Sequence, residues 1–147
     1  MLSKQYIAGL LDGEGSFLIH KTTRERKNAV NTTYTARIQL NITYKKITEL
    51  MKEQYDGNFY EFKKANPKHR NTFMWIVTSK QAKKLLNDIY PYLVIKKKEA
   101  KLLLDLQKQI ENTSDWRNGK HGKRRHSKET IAQREKLFQQ LLQLRRI

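Results

Sequence analysis

The stretch Ile7-Ala8-Gly9-Leu10-Leu11-Asp12-Gly13-Glu14-Gly15 decides how the rest of this 147-residue chain is read. Ser3 stands where a helix N-cap belongs, so a helix is expected to about Asp12, with Gly13 and Gly15 as stop signals. The end of that helix then carries Asp12 and Glu14. A helix C-terminus is the negative end of the macrodipole, and an acid there costs about 0.3–1 kcal/mol. Two carboxylates in such a place call for a compensating cation, which a divalent metal supplies. Gly9 and Gly13 lie four residues apart, with Ala8 beside Gly9. Small residues one turn apart let two helix backbones approach closely. A pair of such helices would bring two Glu14 side chains together, so Ala8, Gly9, Asp12 and Gly13 form the expected contact between two copies.

Moving outward, Ser16 to Arg24 reads as a strand and Thr33 to Thr43 as its partner. The second strand alternates cleanly: Tyr34, Ala36, Ile38, Leu40 and Ile42 point one way, and Thr33, Thr35, Arg37, Gln39 and Asn41 the other. That is the pattern of a sheet with one dry face. A helix follows near Lys46 to Gln54, then a second strand pair, Asn58 to Lys64 and Thr72 to Thr78. Ser79 is the expected cap of a helix that places Ala82, Leu85, Leu86 and Ile89 inward and stops at Pro91. A longer helix is expected from about Lys97 to Asn112, and a last one opened by Ser127. The order helix, two strands, helix, two strands, helices is α+β with one antiparallel sheet. The expected division is a core domain over 1–112, a basic loop over 113–126 and a C-terminal helix, 127–147, packed on the same domain.

The charge narrows the partner. There are 31 Lys+Arg against 14 Asp+Glu, a formal net charge of +17, spread from end to end. A folded domain this basic repels itself unless a polyanion is near, and nucleic acid is the leading candidate. With no cysteine and four scattered histidines, thiolate sites and a paired-histidine zinc site are excluded. No apolar run approaches the ~18 residues that span a bilayer, and the N-terminus lacks the signature of a signal peptide. The expectation is an intracellular protein without membrane association or a small-molecule cofactor.

Tyr6 through Phe17 resembles the LAGLIDADG signature of homing endonucleases and related intron maturases, in the variant whose last acid is Glu. The element order after it also matches that family's α-β-β-α-β-β-α domain. The resemblance implies an antiparallel DNA-binding sheet shaped as a saddle, with extra C-terminal helices, and a single-motif chain that works as a homodimer. It implies that Glu14 binds metal, that the Gly13 carbonyl coordinates it too, and that Asp12 closes the helix end. It implies Mg2+ as the cofactor, with Mn2+ or Ca2+ able to substitute in binding. Pro91-Tyr92-Leu93-Val94-Ile95-Lys96 resembles the segment that ends in the family's active-site lysine, which makes Lys96 a catalytic candidate. Where relatives carry a water-ordering glutamine after the second strand, this chain has Tyr44.

The implied activity is hydrolysis of both strands of a long, nearly palindromic DNA site, leaving short 3′ overhangs. The alternative is a non-cleaving DNA- or RNA-binding protein on the same fold, a maturase or a regulator. By strand parity the reading face holds Ser16, Leu18, His20, Thr22 and Arg24, then Thr33, Thr35, Arg37, Gln39 and Asn41. On the second pair it takes Glu61 and Lys63 with Thr72, Met74 and Ile76. Arg on guanine and Gln or Asn on adenine are the expected base contacts. Lys98, Lys120, Lys123, Arg124 and Arg125 are expected on phosphates. A strand of about nine residues spans about 30 Å at ~3.3 Å each, so two copies would cover about two turns of duplex, and a twofold protein reads a twofold site.

Overall fold

The computed structural model describes residues 1–26, 29–113 and 127–146. Ser3 caps the first helix, its Oγ accepting the Tyr6 N–H at 3.1 Å. That helix, α1 (Lys4–Glu14), runs through Gly13 rather than stopping there. Gly15 then turns the chain directly into β1 (Gly15–Arg26). The turn is tight: a Cβ on Gly15 would sit 2.8 Å from the Leu11 carbonyl oxygen. The elements β2 (Ala29–Ile42), α2 (Lys45–Tyr55), β3 (Asn58–Phe62), β4 (Thr72–Thr78) and α3 (Ser79–Ile89) follow, then a 3-10 turn over Tyr90–Tyr92, α4 (Lys97–Asn112) and α5 (Lys128–Arg145). Thr78, not Ser79, is the N-cap of α3.

The four strands form one antiparallel sheet in the order β1-β2-β4-β3. Phe17, Ile19, Tyr34, Ala36, Ile38, Leu40, Trp75 and Val77 are buried on one face, and the helices cover them. The inward residues expected of α3, Ala82, Leu85, Leu86 and Ile89, are all buried. Between α2 and β3 the chain turns through Asp56 and Gly57, both at positive φ. Gly57 has no substitute there: at φ 96° its Cβ would meet the Ile76 carbonyl oxygen at 2.5 Å. The Asp56 carbonyl accepts the Trp75 indole N–H at 2.7 Å, pinning this turn to the core.

The last helix is held by a polar lock as well as by Leu141 in the core. Glu135 accepts a hydrogen bond from the Tyr34 hydroxyl and pairs with Lys21 at 2.9 Å. Burial would push the Glu135 carboxyl up. The hydrogen bonds from Tyr34, Gln139 and Lys21, with the charge of Lys21, outweigh it and hold it at about 2, from an ordinary 4.5. Burial first, then that carboxylate, raise the Tyr34 hydroxyl well above its ordinary value.

Candidate functional site

The two acids at the end of α1 have different fates. Asp12 is 8% exposed and points into its own chain. One carboxylate oxygen accepts the Val94 N–H at 2.8 Å, and the other accepts those of Ile95 and Lys96 at 3.2 and 3.0 Å. Those amides lead into α4, so a carboxylate at the wrong end of one helix sits at the favourable end of another. Lys96 makes the reverse exchange. It is the N-cap of α4, where a cation is disfavoured. Its Nζ reaches back to donate to the carbonyls of Leu11 at 3.1 Å and Gly15 at 2.6 Å, the negative end of α1. The pair cross-braces the helix-to-strand turn on either side of Glu14.

Among the described residues Glu14 finds no such compensation: it is exposed at the last position of α1, beside exposed Gly13. No group of three or more His, Cys, Asp or Glu side chains able to hold a metal exists among the described residues. One chain therefore offers one free carboxylate and the terminal carbonyls of α1, which lack intrahelical donors. That all-oxygen set suits a hard divalent cation but is too small to hold it alone.

The exposed face of α1 is not the one expected to meet a second copy. Ala8 and Asp12 belong to the buried stripe Ile7, Ala8, Leu11, Asp12 that packs into the core, so neither is available to another chain. The outward stripe is Tyr6, Gly9, partly buried Leu10 and Gly13. A Cβ on Gly9 or Gly13 would meet nothing within 4 Å. Nothing among the described residues requires glycine at either position, although each glycine costs a helix about 0.8–1 kcal/mol relative to alanine.

The sheet face away from the helices is the open one. Cross-strand partners set its members: Ser16 with Gln39, Leu18 with Arg37, His20 with Thr35, Thr22 with Thr33, Arg24 with Asn31. Every reading-face residue expected on β1 and β2 is on this side, and Arg37 is oriented by a 3.2 Å bond from its guanidinium to Gln39. Thr22, Arg24, Asn31 and Thr33 line one shallow depression at the far end of the ribbon.

The second strand pair corrects the parity. Thr72, Met74 and Ile76 are on the open side, Ile76 only 8% exposed. Their partners on β3 are Phe62, Tyr60 and Asn58, so these three share the open face. Glu61 instead pairs with buried Phe73 and falls on the other side, where Phe59 stacks on Phe73 with ring centres 6.0 Å apart. Lys63 lies past the end of β3. Aromatic residues occur at both parities of β3, so its own pattern could not choose; the burial of Phe73 and Trp75 across the ladder chooses.

Tyr44 is the N-cap of α2 and 63% exposed, with Arg70 over its ring at 5.8 Å. Lys98 is exposed in the first turn of α4. Lys120, Lys123, Arg124 and Arg125 lie outside the described residues.

The chain matches the LAGLIDADG endonuclease family over residues 7–109. No curated protein sequence matches it. Similar solved structures include the homing endonuclease I-CvuI in complex with its target in the presence of Ca, with a TM-score of 0.73 and 18% identity, covering 96% of this chain and 80% of that one. The archaeal intron-encoded homing endonuclease I-Vdi141I complexed with DNA gives 0.68 and 16%, covering 96% and 82%. The LAGLIDADG homing endonuclease I-GzeII in complex with its DNA target gives 0.60 and 21%, covering 99% of this chain but 44% of that one. At these identities the likeness establishes a shared fold.

Proposed function

This chain belongs to the LAGLIDADG endonuclease family, and on that premise we propose that it is a site-specific, double-strand DNA homing endonuclease acting as a Mg2+-dependent homodimer. The observation that carries the proposal is the state of α1. One stripe is spent on the chain's own core, the opposite stripe carries Gly9 and Gly13 with open space around each, and Glu14 stands uncompensated at its end. Pairing two α1 helices through Tyr6, Gly9, Leu10 and Gly13 gives the glycines a purpose and doubles the carboxylates.

In this mechanism the open sheet faces of two copies seat about two turns of duplex in the major groove. The side chains from Ser16 to Arg24 and Asn31 to Asn41 carry the base contacts, and Lys98 takes a phosphate. The two Glu14 carboxylates and Gly13 carbonyls would hold a divalent cation, whose chemistry when bound would be Lewis-acid polarisation of the scissile phosphate. Lys96 positions Glu14 by clamping the carbonyls of Leu11 and Gly15, and Asp12 fixes the backbone of Lys96. The exposed Tyr44 hydroxyl is the group available to orient a water. The products are nicked on both strands with short 3′ overhangs.

A non-cleaving nucleic-acid binder on the same fold is the second reading, and the presence of Tyr44 in place of glutamine favours it. Cleavage of a randomised library of nearly palindromic duplexes with Mg2+, run beside Glu14→Gln, separates the two. Recovered cut sites that vanish with Glu14→Gln support the enzyme; binding without cutting supports the second reading.

A further inference from the structure

The open sheet face has two halves of different chemistry. On β1 and β2 it is polar and cationic. On β3 and β4 it is largely apolar: Tyr60 and Phe62, 45% and 48% exposed, pair with Met74 and Thr72, and Ile76 adjoins them. Large aromatic side chains left half in water on an edge strand are not explained by the core, which lies on the other side of the sheet.

Their surroundings point to the occupant. The connection leaving β3 carries Lys63, Lys64, Lys68 and Arg70, all exposed, with Glu61 the acid nearby. A basic rim around an apolar centre suits a polyanion that presents some apolar surface. Phe62 has no hydrogen-bonding atom and Met74 only a weak acceptor, so neither reads a donor–acceptor code. The apolar mark in the DNA major groove is the C5-methyl group of thymine. The register then places the patch along the site. Tyr60 pairs with Met74, and Met74 with Asn41. The neighbour of Asn41, Leu40, pairs with Gly15, directly after Glu14. The patch is therefore at the Glu14 end of the sheet, and Arg24 with Asn31 is at the opposite end.

We infer that Tyr60, Phe62 and Met74 form a specificity element that selects thymine methyl groups in the inner part of each half-site, next to the cut. The inference rests on the DNA-reading role proposed above. Base choice by this element is by shape and apolar contact, while the polar half of the face reads hydrogen bonds.

The test is a binding titration of a labelled duplex recovered from the library, with inner thymines replaced one at a time by deoxyuridine, which lacks only the methyl. The wild-type chain should lose about fourfold in affinity per critical methyl, the transfer value of one buried methyl-sized group. In the double variant Tyr60→Ser, Phe62→Ser, with its unfolding midpoint checked, the same replacement should cost less than in the wild-type chain, Met74 alone remaining. Replacement of outer thymines should not respond to that variant. Equal affinity for thymine and deoxyuridine at every inner position would overturn the inference while leaving DNA reading intact. The uracil comparison uses the unaltered chain, so it decides even if the double variant unfolds. Deoxyuridine-insensitive binding together with self-association that disappears in the double variant would assign the patch to a protein contact and overturn it too. Failure to bind any duplex would overturn the DNA-reading role and the inference with it.

Discussion

Replacing Asp12 should be strongly destabilising, because its carboxylate is buried although its neighbours Gly13 and Glu14 are exposed. Its carboxylate accepts three backbone N–H groups from Val94, Ile95 and Lys96. A hydrogen bond to a charged group contributes about 1.5–3 kcal/mol, and buried donors left without an acceptor add their desolvation cost. The three bonds share one carboxylate and do not add in full, so Asp12→Ala should cost about 4 kcal/mol. Asparagine can keep one acceptor oxygen toward Ile95 and Lys96, but it must turn an NH2 toward the Val94 N–H, so Asp12→Asn should cost about 2 kcal/mol. For a domain whose whole stability is about 5–15 kcal/mol, the alanine variant will be marginal. Urea unfolding followed by circular dichroism measures both. Lys96→Met should cost less alone and couple to Asp12→Asn by at least about 0.5 kcal/mol, because both residues brace the same turn. An Asp12→Ala variant within about 1 kcal/mol of wild type, the scale of the uncertainty of a linear denaturant extrapolation, would refute the cross-brace.

Other expectations follow from the same contacts. Gly9→Ala and Gly13→Ala should each stabilise the isolated chain by up to about 1 kcal/mol, since the added methyl meets nothing. The same variants should shift sedimentation equilibrium toward monomer, a sign opposite to the gain in stability. Gly57→Ala should cost about 1–3 kcal/mol in urea unfolding, from its positive φ and the collision with the Ile76 carbonyl. The Glu135 lock is depressed in the folded chain, so its contribution is complete above pH 4.5 and is lost as pH falls through about 2. The stability gap between wild type and Glu135→Gln should therefore shrink over that interval in acid titrations.

Much of this architecture was legible because β2 alternates over a long run, which fixed both the dry face and its polar partner face on β1. The inward face of α3 was equally plain, since a 3.6-residue period over eleven positions leaves one solution. What could not be read depended on partners distant in the chain. Asp12 carries the same sequence signal whether it faces a second copy or an amide 82 residues away. The helix stripe that buries Ala8 depends on where the core lies, which the glycines alone do not tell. The short β3 strand has aromatics at both parities, so only its pairing with β4 assigns Tyr60 and Phe62 to the open side and Glu61 to the other. The unfavourable charges at the ends of α1 and α4 were visible in the sequence. Their mutual compensation was not, and it leaves Glu14, rather than a pair of acids, as the group in need of a cation.

In the proposed homodimer each cutting site depends on Glu14 from two chains. The most direct test is the rate of strand cleavage of a recovered duplex, nicks counted with double-strand breaks, measured against the fraction of Glu14→Gln chains refolded together with wild type at constant total protein. If two copies share the site, an equal mixture should retain about one quarter of the wild-type rate, the share of dimers in which both chains are wild type. A rate near one half, falling in proportion to the wild-type fraction, would mean that one chain suffices and would contradict the shared site.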